Sequence, residues 1–254
     1  MAKQRASGAL EPRAESERER IGVLGGTFDP VHYAHLAIAE EVYHALRLAR
    51  VVFVPAGQPP HKMGYRVTPV EQRVHMLEQA IAPNPHFALS LVDVRRAGPS
   101  YTVDTLRLLR SEWGPRAEFF FVIGGDSLRD LPSWHDPAGV IAQATIVALV
   151  RPGYGELERY GSELAERLPG IEERLITLEG PHMEISSTDL RQRVFKGRPI
   201  KYQTPEIVEH YILQHGLYRA SENNSSSSRQ AFARAEEEGT QGREQRDAHA
   251  TNAI

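Results

Sequence analysis

Short apolar runs alternate with longer stretches of helical spacing through the middle of the chain. An apolar residue at every third or fourth position predicts an amphipathic helix, and a short continuous apolar run predicts a buried strand. The predicted strands are IGVL (21–24), RVVFVPAG (50–57), FALSLVDV (87–94), EFFFVIGG (118–125), ATIVALVRPG (144–153) and RLITLEG (174–180). The predicted helices are His32–Leu46, Val70–Ile81 with Pro69 as an early helical position, Thr102–Trp113, a short helix near Val140, one after Ser186, and Pro205–Gln214 with Gly216 as a stop.

This repeated strand–helix–strand pattern predicts one α/β domain over residues 21–219. Strands that are apolar throughout are typical of a parallel sheet covered on both faces, so we expect a Rossmann-like, doubly wound parallel sheet. Residues 1–20 are charged, and residues 220–254 are polar, with few large apolar side chains. Such segments bury too little apolar surface to offset the entropy of ordering, and both are predicted to be disordered.

The amino-acid composition excludes several classes of function and site. The 254 residues are 41% hydrophobic and 25% charged, with a net charge of −3. No global basic field is present, which argues against nucleic-acid binding. The absence of cysteine excludes disulfides, thiolate catalysis and cysteine-based zinc sites. No apolar run is long enough to cross a membrane, and the first residues lack a secretory leader, so a cytoplasmic protein is expected.

Three glycine-bearing loops follow predicted strands, at residues 25–26, 55–57 and 124–126. Ligands bind open parallel sheets beyond the carboxyl ends of the strands, where the strand order reverses. Each loop alone is compatible with an ordinary turn. Three such loops on one edge favour a nucleotide-sized cleft.

Two histidines stand three positions apart after the first glycine loop, in GGTFDPVHYAHL (25–36). A metal site, a proton-transfer pair and a phosphate site are the alternatives for His32 and His35. The fingerprints GxGxxG, GxxxxGK[ST] and HExxH are absent, and no convincing third metal ligand lies nearby. A helix that begins near Val31 would place both rings on one face, beside free N–H groups and the positive end of the helix dipole. This arrangement favours phosphate.

A second phosphate-type segment lies far downstream, in ISSTDLRQRV (185–194). Ser186, Ser187 and Thr188 supply hydroxyl groups and cap a predicted helix. Arg191 lies one turn further, where a guanidinium can bind phosphate oxygens in a bidentate way. An ordinary N-cap with a surface arginine would explain this segment taken alone. Together with the histidines, it resembles the other half of a triphosphate clamp.

These two segments resemble the HxGH and ISSTxxR signatures of the nucleotidylyltransferase superfamily. VPAGQPPHK (54–62), PSYTVDTL (99–106), FVIGGDSL (121–128), LPSW (131–134), LVRPGY (149–154) and PEIVEHYILQHGLY (205–218) resemble one branch of it, the bacterial nicotinate-nucleotide adenylyltransferases. The resemblance runs in order from Ile21 to Arg219. It implies adenylyl transfer from ATP to nicotinate mononucleotide, with release of pyrophosphate, in NAD biosynthesis.

The resemblance also implies roles for individual residues. His32, His35, Lys62 and Arg191 are the expected catalytic residues, with His35 nearest the reacting α-phosphate. A solvated loop lysine is the competing interpretation of Lys62. Tyr101, Thr102 and Trp134 are the candidates for nicotinate mononucleotide, although Thr102 as an N-cap and Trp134 as a core residue are the competing interpretations. Asp126 could likewise be a helix cap rather than a ribose ligand. The expected ATP-binding residues are Gly25, Gly26, Thr27, Phe28, His32, His35, Gly124, Asp126, Ile185, Ser186, Ser187 and Arg191.

No protein metal site is expected, because Mg²⁺ keeps most of its waters and would arrive on the phosphates of ATP. The expected partners are ATP and nicotinate mononucleotide, without nucleic acid or membrane; a homo-oligomer stays open. One departure from the family pattern is Ala34, where the signature has glycine. Alanine costs little in a helix, but it would add a methyl group to the site if the glycine allowed close ligand approach. We expect that Ala34 costs little and does not obstruct the ligand.

Other functions compete with this interpretation. Adenylyl transfer to phosphopantetheine on the same fold is disfavoured by PSYTVDTL and Trp134. The sequence distinguishes poorly between nicotinate mononucleotide and nicotinamide mononucleotide as the acceptor, since no obvious arginine is present to bind the nicotinate carboxylate. A non-catalytic nucleotide-binding module is disfavoured by the presence of both histidines and Arg191. An RNA-binding relative of the class I synthetases is disfavoured by the short chain and the lack of an anticodon-binding domain.

Overall fold

The computed structural model describes residues 18–59, 67–150 and 163–219. The strands are β1 (Glu19–Gly26), β2 (Arg50–Pro55), β3 (Phe87–Leu89), β4 (Ala117–Gly124), β5 (Ala144–Val150) and β6 (Leu175–Glu179). The helices are α1 (Tyr33–Ala45), α2 (Val70–Ile81), α3 (Val92–Arg95), α4 (Thr102–Trp113), α5 (Gly125–Asp130), α6 (Pro137–Gln143), α7 (163–167), α8 (Ser187–Phe195) and α9 (Glu206–Gln214). Short 3-10 helices occupy Leu131–Ser133 and Glu172–Arg174.

The described strands form one parallel sheet in the order β3-β2-β1-β4-β5-β6. Neighbouring residues of β2 face opposite sides: Val51 and Phe53 pack with α1, α2, α8 and α9, whereas Val52 and Val54 pack with α4, α6 and α7. Burial on both faces explains why the strands are apolar throughout. The predicted α/β class and the doubly wound parallel sheet are confirmed.

The reversal of strand order brings the predicted glycine loops to one edge. After β1 the chain forms β2 and β3 on one side and then returns to form β4 on the other side of β1. Gly26 lies level with Pro55, and Gly124 lies level with Leu149. Residues 25–26, 55–57 and 124–126 therefore follow neighbouring strands at their carboxyl ends, as predicted.

The segment 87–94 differs from its predicted strand. Only Phe87–Leu89 pairs with β2, and Val92–Arg95 forms the short helix α3. The buried carboxylate of Asp93 accepts hydrogen bonds from Arg96 Nε at 2.9 Å and Thr105 Oγ1 at 2.8 Å. A buried carboxylate needs such partners, and the helical turn supplies one of them. The alternating apolar and polar residues predicted a strand through Val94, and that prediction was wrong beyond Leu89.

Several predicted boundaries shift by a residue or two. Helix α1 begins at Tyr33 with His32 as its N-cap, and Pro69 and Pro205 stand at the N-caps of α2 and α9 rather than inside them. Strand β1 begins at Glu19, so that the last residues of the predicted N-terminal extension belong to the sheet. Gly216 follows α9 with a left-handed φ of 61°, as expected of a helix stop.

None of the helices in residues 18–59, 67–150 and 163–219 is long and apolar enough to cross a membrane. The predicted C-terminal tail, most of the N-terminal extension and the end of the predicted strand 144–153 lie outside the described residues.

Candidate active site

The turn after β1 is built around a buried phenylalanine. Phe28 has a left-handed φ of 49° and is 2% exposed. Its ring lies directly under Gly26, where an added Cβ would stand 3.0 Å from the nearest ring atom. A side chain at position 26 would therefore have to displace the ring. The glycine is needed here for close packing of the turn on itself.

The two histidines are adjacent in space. Their rings are stacked with centroids 3.7 Å apart, and the His32 backbone N–H donates to His35 Nδ1 at 3.2 Å. The His35 ring also meets the edge of Phe28, with centroids 5.0 Å apart. His32 has an extended backbone and caps the helix, so the two rings do not share a helical face as the sequence suggested. The helix cap brings them together instead.

His32 is the more deeply placed of the two rings. Burial lowers the pKa of His32 to about 4, so the ring is neutral at pH 7. Its Nδ1 atom is buried and has no hydrogen-bond partner among the residues that the structure describes. A buried polar atom without a partner is uncommon in a folded protein and calls for an explanation. A neutral imidazole can still donate a hydrogen bond to a phosphate oxygen.

The ISST segment contacts this turn directly. Ser187 Oγ donates to the carbonyl oxygen of Pro30 at 2.8 Å, and Arg191 Nη1 donates to the carbonyl oxygen of Asp29 at 2.7 Å. Ser186 is the N-cap of α8 and accepts from Asp189 N–H at 3.1 Å, as predicted for a capping serine. The two predicted phosphate segments therefore meet, although Ser187 and Pro30 are 157 positions apart.

Arg191 is oriented from two sides. Its second arm, Nη2, donates to Thr188 Oγ1 at 3.3 Å, so the guanidinium lies between α8 and the turn after β1. Ile185, which precedes the serines, packs against the apolar core under α8. These contacts hold the predicted phosphate-binding arginine at the mouth of the turn.

On the other side of β1, the loop after β4 is more open. Gly124 and Asp126 are both exposed, and a Cβ at Gly124 would have no neighbour within 4 Å. Gly124 is the N-cap of α5, and no side chain caps that helix. The competing interpretation of Asp126 as a helix cap is therefore wrong. Its carboxylate lies in the first turn of α5, at the edge where the ribose is expected.

The candidates for the nicotinate side lie around the start of α4. Tyr101 is the N-cap of α4, and its ring stacks on His135 with centroids 4.3 Å apart. Thr102 is the first helical residue, and no side chain caps the helix, so Thr102 is not the N-cap. Trp134 is half-buried and meets Phe121 edge-on at 6.2 Å. Trp134 thus packs against the core while part of its ring stays accessible.

Lys62 lies outside the described residues, so its position in the site stays a prediction. Among residues 18–59, 67–150 and 163–219, no group of three or more His, Asp or Glu side chains is arranged to hold a metal ion. A separate groove of about 650 Å³ lies between α1 and the start of β3, lined mostly by apolar side chains such as Leu36 and Phe87. It contains none of the predicted site residues.

Sequence reasoning missed the residues that support the turn from behind. Asp29 is 2% exposed; its Oδ1 accepts from Tyr218 Oη at 2.7 Å, and its Oδ2 accepts from the Thr68 N–H at 3.2 Å. Burial raises the pKa of Tyr218, and the adjacent Asp29 raises it further, so the phenol stays a donor. Thr204 Oγ1 donates to the carbonyl oxygen of Val31 at 2.8 Å.

Arg73 was missed as well, although a signal was present. It is 1% exposed and lies on the buried face of α2 together with Met76, Leu77 and Ala80. A charged residue within the apolar stripe of an amphipathic helix is rarely buried without polar partners. That mismatch would have marked Arg73 for attention.

Comparison with known protein families places this geometry in context. A family model described as cytidylyltransferase-like matches residues 23–193. A probable nicotinate-nucleotide adenylyltransferase of Thermomicrobium roseum is 49% identical over 203 residues, which are 80% of this chain and 93% of that protein. The protein of the same description from Roseiflexus sp. is 51% identical over 200 residues, covering 78% of this chain and 98% of that protein.

Solved structures agree on the fold. The nicotinic acid mononucleotide adenylyltransferase of Plasmodium falciparum, complexed with NaAD, matches with a TM-score of 0.63 and 20% identity. The match covers 79% of this chain and 97% of that one. The same Plasmodium protein complexed with APC matches with a TM-score of 0.61. At this level of identity the likeness supports the sheet topology alone.

Proposed function

This chain belongs to the nicotinate-nucleotide adenylyltransferase family, and we propose that it transfers the adenylyl group of ATP to nicotinate mononucleotide. The products are nicotinate adenine dinucleotide and pyrophosphate, which makes the protein a nucleotidyltransferase of NAD biosynthesis. The match covers 93% of the Thermomicrobium protein and 98% of the Roseiflexus protein.

The observation that carries this proposal is the contact between the two phosphate segments. Ser187 and Arg191 bind the carbonyl groups of Pro30 and Asp29, next to the stacked His32 and His35. Hydroxyl groups, a guanidinium, two imidazoles and the start of α1 thus surround one point at the carboxyl edge of β1. These donors suit the three phosphates of a nucleotide.

The chemistry needs no general base. A phosphate oxygen of nicotinate mononucleotide, already ionised at neutral pH, attacks the α-phosphorus of ATP. A new P–O bond forms there, the bond from the α-phosphorus to the bridging oxygen breaks, and pyrophosphate leaves with the electron pair. The protein has to align the two phosphates and stabilise the charge that develops on them.

We assign the residue roles from the family resemblance and from the chemistry of each side chain. His35 donates to the reacting α-phosphate, and neutral His32 supplies a second uncharged donor. Ser186, Ser187 and Arg191 bind the β- and γ-phosphates, while Ile185 supports their segment. The backbone of Gly25–Phe28 lies against ATP.

The remaining contacts are assigned to the two nucleosides. Gly124 and Asp126 lie near the ribose of ATP, and Tyr101, Thr102 and Trp134 bind nicotinate mononucleotide, with the indole as a flat surface for the pyridine ring. Lys62 neutralises charge between the two substrates. Mg²⁺ enters with ATP as part of that substrate and screens its phosphates. We place the reaction in the cytoplasm.

The direct test is pyrophosphate release by purified protein with ATP and Mg²⁺. Nicotinate mononucleotide, nicotinamide mononucleotide and phosphopantetheine are supplied as acceptors in separate reactions, and the dinucleotide product is identified by chromatography. We expect release with nicotinate mononucleotide at least tenfold faster, as kcat/KM, than with either alternative, about 1.4 kcal/mol of discrimination.

Faster release with another acceptor would keep the adenylyl-transfer chemistry but change the acceptor. Absence of release with all three acceptors, from folded protein that still binds ATP, would contradict the proposed reaction.

A further inference from the structure

The buried guanidinium of Arg73 joins three separate segments at the edge of the sheet. Nη1 donates to the carbonyl oxygen of Thr27 at 2.7 Å, after β1. Nη2 donates to the carbonyl oxygens of Ala56 at 2.9 Å and Gly57 at 3.4 Å, after β2. Nε donates to the carbonyl oxygen of Thr68 at 2.9 Å, before α2. One planar group therefore fixes the relative positions of these loops.

Burying the Arg73 guanidinium has a free-energy cost that its hydrogen bonds must offset. Burial lowers the pKa of Arg73, and the nearby charge of Asp29 offsets part of that effect. Burying a cation is costly, and a set of backbone carbonyls compensates for it only with well-aligned hydrogen bonds. The fork of an arginine can serve several carbonyl groups at once, whereas a lysine ammonium is a compact point charge.

The loop after β2 is closely packed on its far side. A Cβ at Gly57 would lie 2.3 Å from the carbonyl oxygen of Asp93, so α3 is packed directly against this backbone. Gln58 and Ser100 are joined by two hydrogen bonds, Ser100 N to Gln58 O at 2.9 Å and Gln58 N to Ser100 Oγ at 3.3 Å. Ser100 directly precedes Tyr101, so the loop after β2 continues into the nicotinate side of the site.

We propose that Arg73 is a positioning residue that sets the distance between the loop that holds ATP and the loops that hold the acceptor nucleotide. It acts through the carbonyl groups of Thr27 and of Ala56 and Gly57 rather than by touching a substrate. This inference rests on the proposed function for its catalytic consequence. The alignment of two phosphates is sensitive to such a distance, because a displacement of about 1 Å can reduce a rate by about a hundredfold.

The test compares Arg73→Lys with Arg110→Lys. Arg110 is a matched control because its guanidinium also binds backbone carbonyls, those of Ala117 and Gln143, but near the amino ends of β4 and β5. We expect Arg73→Lys to reduce kcat by about tenfold to a hundredfold while KM for each substrate changes by less than about threefold. Arg110→Lys should keep kcat within about twofold of the original protein.

Thermal unfolding of both variants separates positioning from loss of fold. An unchanged kcat in folded Arg73→Lys, or an equal loss in both variants, would overturn the proposal. If Arg73→Lys does not fold, Gly57→Ala is measured instead. Its added Cβ would clash with the carbonyl oxygen of Asp93 and must therefore displace the same loop. It should show the same fall in kcat with little change in KM, and a normal kcat would again overturn the proposal.

A second measurement is independent of the acceptor. Hydrogen–deuterium exchange without substrate should be faster in Arg73→Lys for peptides covering 24–29 and 53–58, and unchanged there in Arg110→Lys. If the original protein turns over a different acceptor, the kinetic comparison is made with that acceptor. If it turns over none, the proposed function fails while exchange still tests Arg73, and unchanged exchange in both peptides would overturn the positioning role.

Discussion

Tyr218, in the segment after α9, donates a 2.7 Å hydrogen bond from Oη to Oδ1 of Asp29, in the turn after β1. The two residues are 189 positions apart. The backbone carbonyl of the same Asp29 accepts from Arg191, so this phenol stabilises the turn that binds the predicted phosphate-binding arginine. The end of the described domain thus takes part in building the candidate active site.

Tyr218→Phe should therefore lower both stability and activity. The change leaves a buried carboxylate oxygen without its donor, which typically costs about 1–3 kcal/mol. Among the described residues, the carboxylate of Asp29 then keeps the Thr68 N–H as the donor to its other oxygen, so we expect the turn to loosen and kcat to fall several-fold. Urea unfolding and pyrophosphate release measure the two effects.

Tyr43→Phe is the matched control for that variant. The Tyr43 hydroxyl group is hydrogen-bonded to His86 Nδ1 at 3.0 Å, away from the turn. We expect a comparable or smaller loss of stability with kcat unchanged. Equal losses of kcat in the two variants would argue that Tyr218 has no specific connection to the site.

His35→Ala should abolish turnover while the fold is retained. The imidazole stacks on His32 and meets Phe28 edge-on at the start of α1, and in our mechanism it donates to the reacting phosphate. Losing one such donor commonly reduces kcat by about a hundredfold to a thousandfold. His44→Ala, an exposed histidine in the same helix, should leave the rate unchanged. Near-normal turnover by folded His35→Ala would exclude the assigned role.

His32 should make stability depend on pH in a defined window. Its pKa is about 4 in the folded protein and 6.5 in the unfolded chain, so the unfolded chain binds more protons between these values. Stability is therefore unaffected by His32 above about pH 6.5, and falls as the pH drops towards about 4. The full difference is on the order of 3 kcal/mol.

The measurement compares His32→Gln with the original protein. Glutamine does not titrate, so the difference in unfolding free energy between the two proteins should change by a few kcal/mol between about pH 7 and about pH 4.5. Carboxylates that titrate in the same range contribute equally to both proteins and cancel. A difference that stays constant across that range would show that the ring is protonated as easily in the fold as outside it.

The sheet and the family could be predicted from the sequence because both depend on local sequence patterns. Continuous apolar strands, glycines at strand ends and the two phosphate signatures need no knowledge of distant contacts, and the fold and the family were confirmed. The individual roles of His32, His35 and Arg191 stay predictions. The strand expected through Val94 was wrong, because the partners of Asp93 come from Arg96 and from Thr105 in the next helix.

The support behind the site was not predictable in the same way. Arg73, Tyr218 and Thr204 act by binding backbone carbonyls or a carboxylate of a turn far away in sequence. Such partners become visible only when the chain is folded. His32 and His35 were predicted to share a helical face, but His32 is the N-cap of α1, and the stacking of the two rings comes from the helix cap instead.

Ala34→Gly tests the departure from the family signature. Ala34 is the second residue of α1 and is 6% exposed, so its methyl group is enclosed by protein atoms and does not project into an open cleft. Glycine should lower stability by up to about 1 kcal/mol and leave kcat and the KM for ATP within about twofold. Ala39→Gly, at a buried position further along α1, is the control and should lose at least as much stability. A tenfold gain in kcat/KM with Ala34→Gly alone would mean that the methyl group obstructs ATP after all, about 1.4 kcal/mol of transition-state binding.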